Sequence, residues 1–135
     1  MPILPDRILK LMTPADRASL GKAGRTADEC RTVWERGQEA QLQKIIANFL
    51  NLREIYFEVD RMDKRPRSKG RPDFRVCYRG RWIGIECKAD GGKLSTEQGQ
   101  ALAKIRANGG VTIVAFGLPT VIEALRQIDA QMQGR

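Results

Sequence analysis

Residues 72–88 read PDFRVCYRGRWIGIECK. Two runs rich in β-branched and aromatic side chains, 73–78 and 81–88, are parted by Arg79-Gly80, and this pattern predicts a β-hairpin. Side chains alternate between faces along a strand. Ile83, Ile85 and Cys87 therefore share one face, and Trp82, Gly84, Glu86 and Lys88 share the other. Glu86 and Lys88 are two residues apart, about 6.6 Å of strand rise. Charges in an otherwise apolar strand need partners or a metal, because burying them bare is costly. The plain alternative is a salt bridge at the exposed end of the strand.

Asp73 begins the first run, directly after Pro72, and a hairpin brings it near Glu86 and Lys88. Two carboxylates at one point can hold Mg²⁺, a cation that takes oxygen ligands and keeps several waters. A metal there lowers the pKa of a bound water and neutralises phosphate charge. A lysine alongside orients the water or stabilises developing charge. Asp73, Glu86 and Lys88 are thus chemically sufficient for phosphodiester hydrolysis.

Working outward, residues 27–52 predict a long helix from the recurrence of Leu42, Ile45, Ile46, Phe49 and Leu50. Glu39 falls on its inward face as a candidate metal or water ligand, and Glu35 fits that face nearly as well. IYFEV at 55–59 is a short strand. A loop at 61–72 follows, RMDKRPRSKGRP, with six Lys/Arg. Such charge density beside a site suits a phosphate backbone, although a solvated connection has the same composition. Residues 95–108 predict a helix opened by a Ser95/Gln98 capping box and closed by Asn108-Gly109-Gly110. Gln98 also lines up with Ala101, Leu102 and Ile105, which points it at the sheet. VTIVAF at 111–116 suits a buried central strand, and 119–132 a last helix. The order αβββαβα is an α/β fold, one mixed sheet flanked by helices. Residues 1–34 form a basic N-terminal extension, with short helices expected at 5–12 and 14–21; residues 35–135 form the main domain.

Composition narrows the chemistry. The 135 residues carry 24 Lys/Arg against 16 Asp/Glu, a net charge of +8, which favours a polyanionic partner. Histidine is absent, which excludes Ser-His-Asp triads, Cys-His dyads and His-ligated zinc. The three cysteines, Cys30, Cys77 and Cys87, make neither a zinc knuckle nor a disulfide framework. With no signal-peptide pattern and no membrane-length apolar window, an intracellular, cytoplasmic setting is expected.

Glu39-x-x-Leu42-Gln43, Lys69-Gly70-Arg71-Pro72-Asp73, Ile85-Glu86-Cys87-Lys88 and Gly92-Lys93-Leu94-Ser95-Thr96-Glu97-Gln98 together resemble the VRR-NUC (virus-type replication-repair nuclease) domain of the PD-(D/E)xK superfamily, over about residues 35–128. The resemblance implies a restriction-endonuclease-like core, Mg²⁺ dependence with Mn²⁺ substituting, and cleavage of DNA. By matching position it implies Asp73, Glu86 and the Cys87 backbone carbonyl as metal ligands. It makes Lys88 the catalytic lysine, Glu39 the helix-borne acid and Gln98 the active-site glutamine. Similar stand-alone members are associated with phages and prophages and act on branched DNA as homodimers, which sets the expected compartment as a bacterial or phage-infected cell. The domain also occurs in the Fanconi-associated nuclease. Lys64, Arg65, Arg67, Lys69, Arg71 and Lys93 are the expected nucleic-acid contacts. No membrane or small-molecule cofactor is expected. A homodimer also has a physical motive, since one site cuts one strand at a time. The competing readings are a DNA-binding module without chemistry and a nuclease subunit that needs a partner.

Overall fold

The computed structural model describes residues 27–60 and 69–133. The expected N-terminal helices at 5–12 and 14–21, and Lys64, Arg65 and Arg67 of the basic loop, lie outside the described residues. The elements are α1 (Ala27–Leu52), β1 (Tyr56–Val59), β2 (Phe74–Tyr78), β3 (Arg81–Cys87), α2 (Thr96–Ala107), β4 (Val111–Ala115) and α3 (Leu118–Gln133). Among the described residues the fold is α/β: a four-stranded mixed sheet, order β1-β2-β3-β4, flanked by three helices. Among the described residues no helix is long and apolar enough to cross a membrane.

The hairpin forms where expected. Arg79 and Gly80 both have positive φ, 50° and 76°, and Tyr78 pairs with Arg81 across them. Two left-handed residues between antiparallel strands match the right-handed twist of the pair. β1 pairs antiparallel with β2, while β4 pairs parallel with β3 after the α2 crossover. Among the described residues β4 is therefore an edge strand, not the central strand that its apolar run suggests, and β2 and β3 are the interior pair. Its apolar character has another cause. The sheet is covered by helices on both faces, and Ile113 and Ala115 are buried there despite the open edge.

On one face, the Ile83, Ile85 and Cys87 side of β3 packs with Phe74, Val76, Ile113 and Ala115 against α1 and α3. α1 offers Leu42, Ile46 and Leu50 at four-residue spacing, and α3 offers Val121, Leu125 and Ile128. α1 runs unbroken through positions 34 and 35 and buries Trp34. α2 lies on the opposite face. A Cβ placed on Gly84 would stand 3.0 Å from Pro72 and 3.1 Å from the Ile105 Cδ1, so the absence of a side chain there lets the helix seat closely.

α1 stops by a Schellman closure: Ile55 N–H donates to the Leu50 carbonyl at 2.9 Å and Glu54 N–H to that of Asn51 at 3.0 Å. Glu54 takes the left-handed position, φ 55°, where glycine is the usual occupant. Gly70, φ 87°, is the converse case: a Cβ there would meet the Glu97 backbone at 2.7 Å. The same conformational rule predicts opposite signs at the two positions. Glu54→Gly should raise unfolding free energy by about 0.5–1 kcal/mol, and Gly70→Ala should lower it by about 1–3 kcal/mol. Urea unfolding of the two variants measures both.

Candidate active site

The sheet brings Asp73 and Glu86 together through register. Phe74 pairs with Ile85 and Arg75 with Gly84. Continuing that register by one residue stands Asp73 opposite Glu86, on the α2 side. Both carboxylates are buried, at 7% and 3% exposure. The Cys87 N–H donates to Asp73 Oδ2 at 2.8 Å, and the Asp73 carbonyl accepts from Asp60 N–H at 2.8 Å. Asp73 is thus gripped by its side chain on β3 and by its backbone on the segment leaving β1.

Lys88 follows β3 and keeps to the ladder, its N–H donating to the Ala115 carbonyl at 2.9 Å. Its Nζ lies 3.9 Å from Glu86 Oε1, with only 11% of the side chain exposed. The pair expected from the strand spacing is therefore formed, and it is buried. Gln98 performs both duties anticipated for it. Its backbone N–H donates to Ser95 Oγ at 3.1 Å, and its Oε1 accepts from Ser95 N–H at 2.9 Å, completing the capping box. Its Nε2 then donates to Glu86 Oε1 at 2.7 Å. One amide thus closes the start of α2 and fixes the orientation of a buried acid.

α1 passes over the end of the sheet and supplies Glu39. Burial raises the Glu39 carboxyl above its ordinary value; Lys88 and a hydrogen bond from the Ala89 backbone oppose this, while Asp73 and Glu35 add to it. Glu39 thus sits within the fields of Lys88 and Asp73. The Cys87 thiol is pushed far up by burial first, then by Asp73, Glu86 and Glu39. The side chain itself belongs to the buried apolar core, on the face away from Asp73 and Glu86.

Among the described residues, no three His, Cys, Asp or Glu side chains are close enough to hold a metal ion as a protein-only cage. Glu39 is therefore not gathered with Asp73 and Glu86 into one three-carboxylate ligand group. The donors brought together are hard: the buried carboxylates of Asp73 and Glu86. That set fits a cation that keeps much of its water shell, Mg²⁺ above all, rather than one needing a complete protein shell.

The expected phosphate contacts that are described lie at the surface. Lys69 is exposed and pairs with Glu97 at 3.3 Å, which fastens the loop before Pro72 to the start of α2. Arg71 and Lys93 are exposed. Gln38 was not singled out in the sequence. Its Oε1 accepts from Asp90 N–H at 3.5 Å, linking α1 to the segment after Lys88. Its only signal was adjacency to Glu39, and a glutamine on a helix reads by default as a solvent-facing residue.

No family model, no curated protein and no solved structure matches the chain.

Two measurements check the electrostatics. Because the folded state holds the Glu39 proton to a higher pH than the unfolded chain, stability falls as pH rises from the ordinary glutamate range through the raised value. Glu39→Gln should therefore raise Tm at pH 7 by about 1–3 °C, with the gain disappearing near pH 4. A thermal melt at the two pH values reads this. In the folded protein the exposed Cys77 should react readily with a maleimide, and Cys87 only after denaturation. Peptide mapping of the labelled chain distinguishes the two.

Proposed function

We propose that the chain is a Mg²⁺-dependent DNA endonuclease built on a restriction-endonuclease-like core and resembling VRR-NUC domains. The observation that carries this reading is the burial of Asp73 and Glu86 on facing strands, with Lys88 Nζ 3.9 Å from Glu86. Buried like charges are expensive unless a cation or a reaction uses them. The net charge of +8 supports a polyanionic substrate.

In this reading Asp73, Glu86 and the Cys87 carbonyl hold the metal. When bound, Mg²⁺ supplies a water of lowered pKa and neutralises charge on the phosphate. The protein's own residues then divide the work. The Cys87 N–H holds the Asp73 carboxylate in place at 2.8 Å. Gln98 holds Glu86 through Nε2 and is itself held by Ser95, so the acid is oriented before substrate arrives. Such preorganisation avoids reorganisation during reaction. Lys88 sets a positive charge beside the scissile phosphate and orients the attacking water. Glu39, hydrogen-bonded to the Ala89 backbone and close to Lys88, positions that lysine. Lys69, Arg71 and Lys93, with Lys64, Arg65 and Arg67, track the phosphate backbone. A homodimer would present two such sites to the two strands of a branched substrate.

Purified protein with Mg²⁺ or Mn²⁺ should cut at least one member of a panel of single-stranded, duplex, flap and four-way DNA, and EDTA should abolish cutting. Asp73→Asn and Lys88→Ala should each reduce the rate by at least about 10²-fold with circular dichroism unchanged. Full activity in either variant removes this site. DNA binding without cutting on every substrate would instead identify a binding module.

A further inference from the structure

A groove of about 230 Å³ opens beside Lys88, between α1 and the turn that leaves β4; its lining includes Gln38, Gln41, Ile45, Lys88, Phe116 and Gly117. Phe116 is 54% exposed and Ile45 44% exposed, two large apolar side chains open to solvent near Lys88. The groove lies where the parallel strands β3 and β4 end, the side of an α/β sheet on which ligands collect. Lys88 belongs to both places, lining the groove and reaching Glu86 Oε1.

The lining has a definite chemistry. Phe116 offers an aromatic face, Ile45 and Leu42 an apolar floor, and Gln38 and Gln41 amides that both donate and accept. An aromatic face beside paired donors and acceptors suits a nucleobase, which stacks through its π-face and presents hydrogen-bonding edges. The volume is below the roughly 300–1,000 Å³ of pockets for drug-sized ligands, so it accommodates one base rather than a stacked run. A base inside a duplex cannot reach such a groove without leaving the stack.

We propose that this groove is a subsite for one unpaired nucleobase of the DNA strand, next to the phosphate that would face Lys88 and a metal on Asp73 and Glu86. The placement of that strand rests on the nuclease reading above. The site therefore selects single-stranded segments and branch points, where a base is already free, over continuous duplex.

The test uses the full chain in EDTA, so that binding is read without cutting. Single strands carrying 2-aminopurine at successive positions are titrated, and quenching of the probe reports stacking. Quenching is expected at one position with the unmodified protein. Phe116→Ala should lose that quenching and weaken binding about tenfold, whereas Phe116→Trp should keep both. An abasic site at the same position should weaken binding by the unmodified protein about tenfold and leave Phe116→Ala indifferent. The slope of affinity against salt should not change, since no phosphate contact is lost. Phe116 is exposed, so neither variant disturbs the core.

Equal quenching by Phe116→Ala and the unmodified protein overturns the inference, as does absence of quenching at every position. A dimer by light scattering that Phe116→Ala dissociates, with quenching unaltered, gives the groove to a second copy and overturns it too. The two readings fail separately. Phe116-dependent quenching without cutting of any substrate leaves the base subsite and removes the nuclease. Asp73-dependent cutting without Phe116-dependent quenching does the reverse.

Discussion

The hydrogen bond from the Cys87 N–H to Asp73 Oδ2 ties the residue just before β2 to the last residue of β3. Everything else at this end of the sheet is arranged around that tie. With the strand register standing Asp73 opposite Glu86, it holds one buried carboxyl beside another, where like charges would repel. The surrounding elements offset that repulsion. Lys88, directly after β3, lies 3.9 Å from Glu86 Oε1, and α2 supplies the Gln98 amide. The site is a local electrostatic problem, and both of these groups contribute to its solution.

The helices are not interchangeable in this role. α1 and α3 fill the apolar face with Leu42, Ile46, Leu50, Val121, Leu125 and Ile128, and they fix where the sheet ends. α2 sits on the polar face and approaches closely because Gly84 has no side chain. Its first turn is pinned at two points, by the Ser95–Gln98 box and by the contact of the Lys69–Gly70 turn with Glu97. Stability and site geometry are therefore coupled most tightly at the α2 N-terminus.

Much of this is legible in residue order. The limits of α1 follow from its four-residue apolar repeat, the hairpin from Arg79-Gly80, and both duties of Gln98 from its spacing to Ser95 and to Leu102. Other features depend on how elements meet. Glu35 and Glu39 lie about 40° apart on one helix face, so their spacing alone does not choose between them. The edge position of β4 is invisible to a pattern that records burial by helices rather than pairing with strands. Phe116 reads as the last residue of a strand, and the groove beside it exists only because α1 crosses the sheet at that end.

Gln98 is a single side chain shared by a helix cap and a buried acid. Helix ends are the first parts of a fold to open on warming. When the first turn of α2 frays, Glu86 loses its orienting donor although the sheet and the α1–α3 core are still intact. The proposed chemistry is therefore tied to the melting of one helical turn rather than to that of the whole domain, and its upper temperature limit is set by Ser95 and Gln98 before the core yields.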